Sequence, residues 1–137
     1  RRSGKPVLVT PEHFREINNM AVAYDGSAPA DKALKLAAAL SKQAAWPLSV
    51  VIVAADPTSG EDTSKKAESL LSAFKMDSAA IILTGKESKA LLNFIREGTV
   101  ELLVMGAYGH NRLRELLVGS TTSSVIRKST IPVLLTR

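Results

Sequence analysis

Two short stretches of the chain carry residue types suited to holding an anion. Gly106-Ala107-Tyr108-Gly109 is followed, after nine residues, by Gly119-Ser120-Thr121-Thr122-Ser123-Ser124. Glycine allows a backbone to approach a ligand with no Cβ in the way. A run of hydroxyl residues that opens a helix adds side-chain donors to the free first-turn amides and to the positive end of the helix dipole. Phosphate is the natural occupant of such a place. Glycine then serine before a helix is also an ordinary N-cap, but five hydroxyl residues in succession exceed what capping requires. The other stretch is Asp25-Gly26-Ser27, an acidic turn ahead of a helical segment, in which either Asp25 or Ser27 suits the N-cap. Two familiar phosphate motifs are absent: Gly85-Lys86 is followed by Glu87 rather than Ser or Thr, and no Gly-x-Gly-x-x-Gly occurs.

The elements that must position these turns alternate. Residues 20–24 (MAVAY) read as a strand ending at Asp25. A helix follows, with Ser27 as N-cap, Pro29 and Asp31 in the first turn, and Ala33, Leu34, Ala37, Leu40 and Ala44 on its apolar face. Trp46-Pro47 stops it. Residues 48–54 (LSVVIVA) are continuously apolar and rich in β-branched residues, the pattern of a strand buried on both faces. A polar loop over 56–62 leads to a helix over 63–75, with Ala67, Leu70, Leu71 and Phe74 inward. Then come a strand at 79–83, a turn at Thr84-Gly85, and a helix over 87–97 with Ala90, Leu91, Phe94 and Ile95 as its core face. Gly98 suits the position after that helix, and 101–105 (ELLVM) is the next strand. Residues 106–119 form a loop with one helical turn around 113–117, before a helix at 120–129 and a closing strand at 131–136 (IPVLLT). Pro132 argues that this last strand lies at a sheet edge.

Strands alternating with helices of this length predict an α/β, three-layer, doubly wound sandwich on a five-stranded parallel sheet. Ligands of such sheets bind at the strands' carboxyl ends, near a topological switch point. Both polar stretches fall there.

Residues 2–10 (RSGKPVLVT) match 128–136 (KSTIPVLLT) in step: a basic residue, Ser, two variable positions, then Pro-Val-Leu-aliphatic-Thr. The match is either a coincidence of common strand residues or the last strand of a preceding homologous domain. The second reading is preferred, and it makes 1–19 the end of one domain plus a linker and 20–137 the domain proper.

Composition excludes several classes. The 137 residues suffice for one domain with a real core. No apolar run approaches the roughly 18 residues needed to cross a bilayer. Cysteine is absent, which removes disulfide and thiolate chemistry and accords with a cytoplasmic setting. The net charge is +5, yet the cations are dispersed and aromatics make up only 4%, so no platform for stacking nucleic-acid bases is evident.

At full spacing, Gly106-x2-Gly109-x9-Gly119-Ser120 resembles the nucleotide signature of ATP-binding universal stress proteins (UspA-type). Residues 102–136 follow that family's carboxyl-terminal block, and 22–27 (VAYDGS) resemble its opening strand and turn. The resemblance implies that Asp25 binds the ribose hydroxyls and that backbone near Ala54 meets the adenine edge. It assigns Gly106, Gly109, Gly119, Ser120, Thr121 and Thr122 to the phosphates. It implies ATP, with Mg²⁺ as the companion a triphosphate usually brings, and a homodimer or tandem pairing through the last strand. His110 and Arg112 lie within the signature but read as solvated loop residues, and His13 falls in the linker. No catalytic base is evident, so hydrolysis is expected to be slow and incidental, and the domain to act as a nucleotide-responsive regulatory module. The competing expectation is a dimerisation or protein-docking domain of the same fold that binds no nucleotide. One departure stands out: 56–78 is shorter than is usual in the family, where a longer segment partly covers the nucleotide.

Overall fold

A computed structural model describes residues 5–13, 15–78, 80–107 and 119–136. In chain order the elements are β1 (Val7–Val9), β2 (Met20–Ala23), α1 (Ala28–Ala44), β3 (Leu48–Val53), α2 (Pro57–Ser72), β4 (Ala80–Leu83), α3 (Glu87–Arg96), β5 (Leu102–Gly106), α4 (Ser120–Lys128) and β6 (Val133–Thr136). They form one sheet of order β1-β6-β5-β2-β3-β4. The expected five strands, β2 to β6, pair parallel, and β1 adds a sixth, antiparallel to β6. From β2 the chain winds outward to β3 and β4, then crosses back to β5 and outward to β6. The switch point therefore lies between β2 and β5, held in register by Met20 opposite Leu102 and Val22 opposite Val104.

Strand side chains alternate between the two faces. Met20, Val22, Tyr24, Val50, Ile52, Leu102 and Val104 pack against α1 and α2. Ala21, Val51, Leu103, Met105, Val133 and Leu135 pack against α3 and α4. Being covered on both sides, these strands need apolar residues throughout, hence their unbroken hydrophobic runs. The buried face of α1 is largely alanine (Ala30, Ala33, Ala37, Ala38), which keeps the helix close to the sheet.

Several expectations are revised. Helix α2 begins at Pro57, six residues before the predicted start. Asp56 caps it by accepting from the Ser59 amide at 2.9 Å, and Pro57 occupies the first turn, where it loses no hydrogen bond. The polar run that suggested a loop is the exposed side of this helix. Ala44 is exposed, and Ala30, Ala38 and Ser41 complete the buried face of α1 instead. Strand β6 is not an edge: β1 covers it, with Val7 opposite Leu135 and Val9 opposite Val133. The helical turn expected around 113–117 lies outside the described residues. Among the described residues no helix is long and apolar enough to cross a membrane.

Candidate functional site

At the carboxyl end of β2 the chain makes a turn braced from within. Asp25 is exposed, and its Oδ1 accepts from the Ser27 amide (3.0 Å) and the Ser27 hydroxyl (2.6 Å). Ser27 Oγ in turn accepts from the Ala30 amide at 3.2 Å. The open question of the N-cap is thereby resolved: Ser27 caps α1 and Asp25 orients Ser27. Gly26 supplies the positive φ (83°) that the turn needs. From α2, Lys66 donates to the Gly26 carbonyl at 2.6 Å and lies 3.6 Å from Asp31 Oδ2. Tyr24 donates its hydroxyl to Asp31 Oδ1 at 2.6 Å. Its phenol is pushed far above the ordinary range, first by burial, then by the Asp31 hydrogen bond and the nearby negative charges.

Gly106 ends β5 directly beside this turn. A Cβ there would fall 2.7 Å from the carbonyl carbon and oxygen of Pro29. The bare backbone expected to admit a ligand thus also admits the first turn of α1, and with it the Asp25 turn, onto β5.

Helix α4 leads into β6, so its N-terminus faces the same end of the sheet. Gly119 is the N-cap and brings no side chain to satisfy the first-turn amides, whereas Ser27 and Asp56 cap α1 and α2. Ser120 is exposed, Thr121 half-buried and Thr122 buried. Ala54 lies just past β3, and its amide already donates to the Leu83 carbonyl at 2.8 Å. An adenine edge at that position would meet the carbonyl instead. Gly109, His110 and Arg112 fall outside the described residues, and His13 is exposed in the segment before β2.

One residue of the site went unnoticed in the sequence. Glu87, the first residue of α3, accepts from the Thr121 hydroxyl at 3.3 Å. Its carboxyl is held above the usual range by lost hydration and by the charge of Asp25, with Thr121 acting in the opposite sense. The only signal available was its place, directly after the turn that ends a strand. Among the described residues no three His, Asp or Glu side chains are grouped to hold a metal ion.

Taken together these features define a doubly wound α/β domain with an acidic turn, a glycine-bordered strand end and an uncapped helix N-terminus gathered at its switch point. The Universal stress protein family model matches residues 16–137, and the chain belongs to that family. It is 40% identical over 134 residues to Universal stress protein Slr1230 of Synechocystis sp., a match covering 95% of this chain and 46% of that protein. The crystal structure of a universal stress protein from Archaeoglobus fulgidus DSM 4304 superposes with a TM-score of 0.79 at 28% identity, over 99% of this chain and 50% of the other. The chain thus spans about half the length of both. The universal stress protein from Archaeoglobus fulgidus in complex with dAMP shares the fold, with a TM-score of 0.72 at 21% identity over 87% of this chain and 97% of that one.

Proposed function

We propose that this domain binds an adenine nucleotide, ATP in the first instance, and acts as a nucleotide-responsive module rather than an enzyme. The observation that carries the reading is the uncapped N-terminus of α4, with Ser120 and Thr121, on the same side of the switch point as the Asp25 turn. First-turn amides and the helix dipole favour a phosphate. Asp25 keeps Oδ2 for the ribose hydroxyls while Oδ1 holds Ser27. The dAMP complex of a protein with this fold supports the ligand class. A hydrolase needs a base poised on a water molecule. Asp25 is spoken for by Ser27 and the ribose, and hydrolysis on this reading is slow. The lack of cysteine accords with work in the cytoplasm.

The test is a thermal-shift measurement with Mg-ATP, alongside chromatography of small molecules released by denaturing the purified protein. Ligand at 100-fold its dissociation constant should add about 2.7 kcal/mol. Gly119→Val should abolish that gain, because a branched side chain would fill the mouth of the phosphate subsite. Absence of any shift, and of any co-purified nucleotide, would refute the reading.

A second reading concerns association. In the internal repeat Leu8 corresponds to Leu134, and these two residues are opposite one another in the β1–β6 ladder; Val7, the counterpart of Val133, pairs with Leu135. Two copies of one strand therefore meet about a local two-fold axis. Val133 and Leu135 are buried, whereas Val7 and Leu8 are 42% and 54% exposed. We infer that β1 belongs to a homologous domain that packs on it as the rest of this domain packs on β6, in tandem or as a dimer. The twofold length of the Synechocystis relative supports the tandem form.

A further inference from the structure

The Thr121 hydroxyl stands in the first turn of α4, where the proposed phosphate tail would be received, and it already serves an anion. Glu87 Oε1 accepts from it at 3.3 Å. Glu87 opens α3, and Lys86 ahead of it makes no side-chain cap, so this carboxyl lies near the positive ends of two helices. Asp25 acts on it from the turn after β2, which places a second negative charge at the same mouth. Among the described residues, Asp25 and Thr121 are the groups that face Glu87 from other elements; Lys86 and Lys89 are exposed beside it on its own helix.

A carboxylate held by a donor that suits a phosphate is a rival for that donor. Glu87 is exposed, so it can swing aside when displaced, but its backbone is fixed at the start of α3 and its charge stays at the mouth of the subsite. The opposition grows with the charge of the tail. The raised pKa of the carboxyl, caused by partial loss of hydration and by the charge of Asp25, fits this placement.

We propose that Glu87 is an internal competitor of the phosphate subsite, and that it sets how steeply affinity changes from adenosine to AMP to ATP. The proposal rests on the adenine-nucleotide reading above and names its specificity-determining residue. It makes this chain less partial to long, uncomplexed polyphosphate tails than its glycine and hydroxyl residues alone would be.

The experiment is calorimetric titration of adenosine, AMP and ATP in magnesium-free buffer into the parent protein, Glu87→Gln and Glu68→Gln. Glutamine keeps the size and the acceptor oxygen but removes the charge. Glu68, exposed on α2, controls for the change in net charge. Relieving one unit charge a few ångströms from the tail across water should tighten ATP on the order of fivefold to tenfold. AMP should gain about twofold, while adenosine and the Glu68→Gln protein stay as in the parent. An equal gain for AMP and ATP, a weaker ATP complex in Glu87→Gln, or the same gain in Glu68→Gln would overturn the proposal. If the parent and both variants bind the three compounds with identical affinities, the competitor falls and the nucleotide reading stands. Should none of the proteins bind any of the three, the nucleotide reading fails and takes the competitor with it.

Discussion

Replacing Gly106 with alanine adds one methyl group at the tightest contact between β5 and α1. The new Cβ would lie 2.7 Å from the carbonyl carbon and oxygen of Pro29 and 2.8 Å from its Cβ, where ordinary contact begins at 3.4 Å. Relief requires the strand and the helix to part by several tenths of an ångström. Pro29 cannot yield by a rotamer change, because two of the three atoms are backbone in a turn tied by Ser27 to Asp25 and by Asp31 to Tyr24. Gly106 is not among the glycines with positive φ, so the whole cost is packing. Overfilling a well-packed contact costs typically about 1–3 kcal/mol. With an unfolding entropy of about 2.1 cal/mol/K per residue, that becomes a fall in Tm of roughly 3–10 °C for a chain of this length.

Gly60→Ala is the informative companion. Its Cβ would approach Ile82 Cγ2 to 2.8 Å, nearly the same nominal overlap. That neighbour is the branch methyl of a strand residue 37% exposed, which yields by χ1 rotation rather than by moving backbone, and Ala54 Cβ at 3.2 Å adds a milder contact. Alanine within a helix is also favoured over glycine by up to about 1 kcal/mol. The two effects offset, and Gly60→Ala should stay within about 1 kcal/mol of the parent. Thermal denaturation of the nucleotide-free proteins, followed side by side by circular dichroism, separates the cases. The reasoning fails if Gly106→Ala melts within 1 °C of the parent, or if Gly60→Ala loses more than Gly106→Ala.

Two further outcomes are expected. Because the folded state holds the Tyr24 phenol above its ordinary value of 10.0, the unfolded chain releases that proton first, and stability must fall as pH rises above 10. Tyr24→Phe should be less stable at pH 7 by about 1.5–3 kcal/mol, the worth of a hydrogen bond to a charged group, and the gap should close above pH 10; a gap constant from pH 7 to 11 would refute the assignment. Leu8→Lys, which charges the exposed face of β1 and leaves its backbone pairing intact, should shift the sedimentation-equilibrium mass toward monomer; an unchanged mass would place any association elsewhere.

The architecture was legible because its causes are local. Buried parallel strands need unbroken apolar runs, and 50–54 and 102–106 have them. Ser27 and Gly98 mark helix ends by their own chemistry, and the structure puts them there, with φ at 81° for Gly98. The start of α2 was misjudged for a reason of the same kind. Thr58, Ser59, Gly60 and Asp62 have loop-like propensities, and what makes them helical is the Asp56 cap and the fit of Gly60 against Ile82 and Ala54. The second of these is a tertiary fact that no window of sequence contains.

The site divides along the same line. The helix start at Ser120 was readable, because a glycine followed by hydroxyl residues either caps a helix or leaves its first-turn amides to an anion, and both readings put the N-terminus there. The limits of the site were not, because they arise between segments distant in sequence. Gly106 must be bare for the sake of Pro29, 77 positions away in the chain. Glu87 joins the site through Thr121, with a separation of 34 residues. The two qualify the same inference for different reasons. Gly106 shows that a glycine at a ligand crevice can be required by the scaffold that shapes the crevice, so its presence alone is weak grounds for binding. Glu87 shows that a carboxylate can occupy a donor assigned to a phosphate, so on the proposed reading donors alone do not fix affinity. On the proposed reading, the glycines and hydroxyls specify a place, and the charges around that place would determine which phosphate chain it prefers.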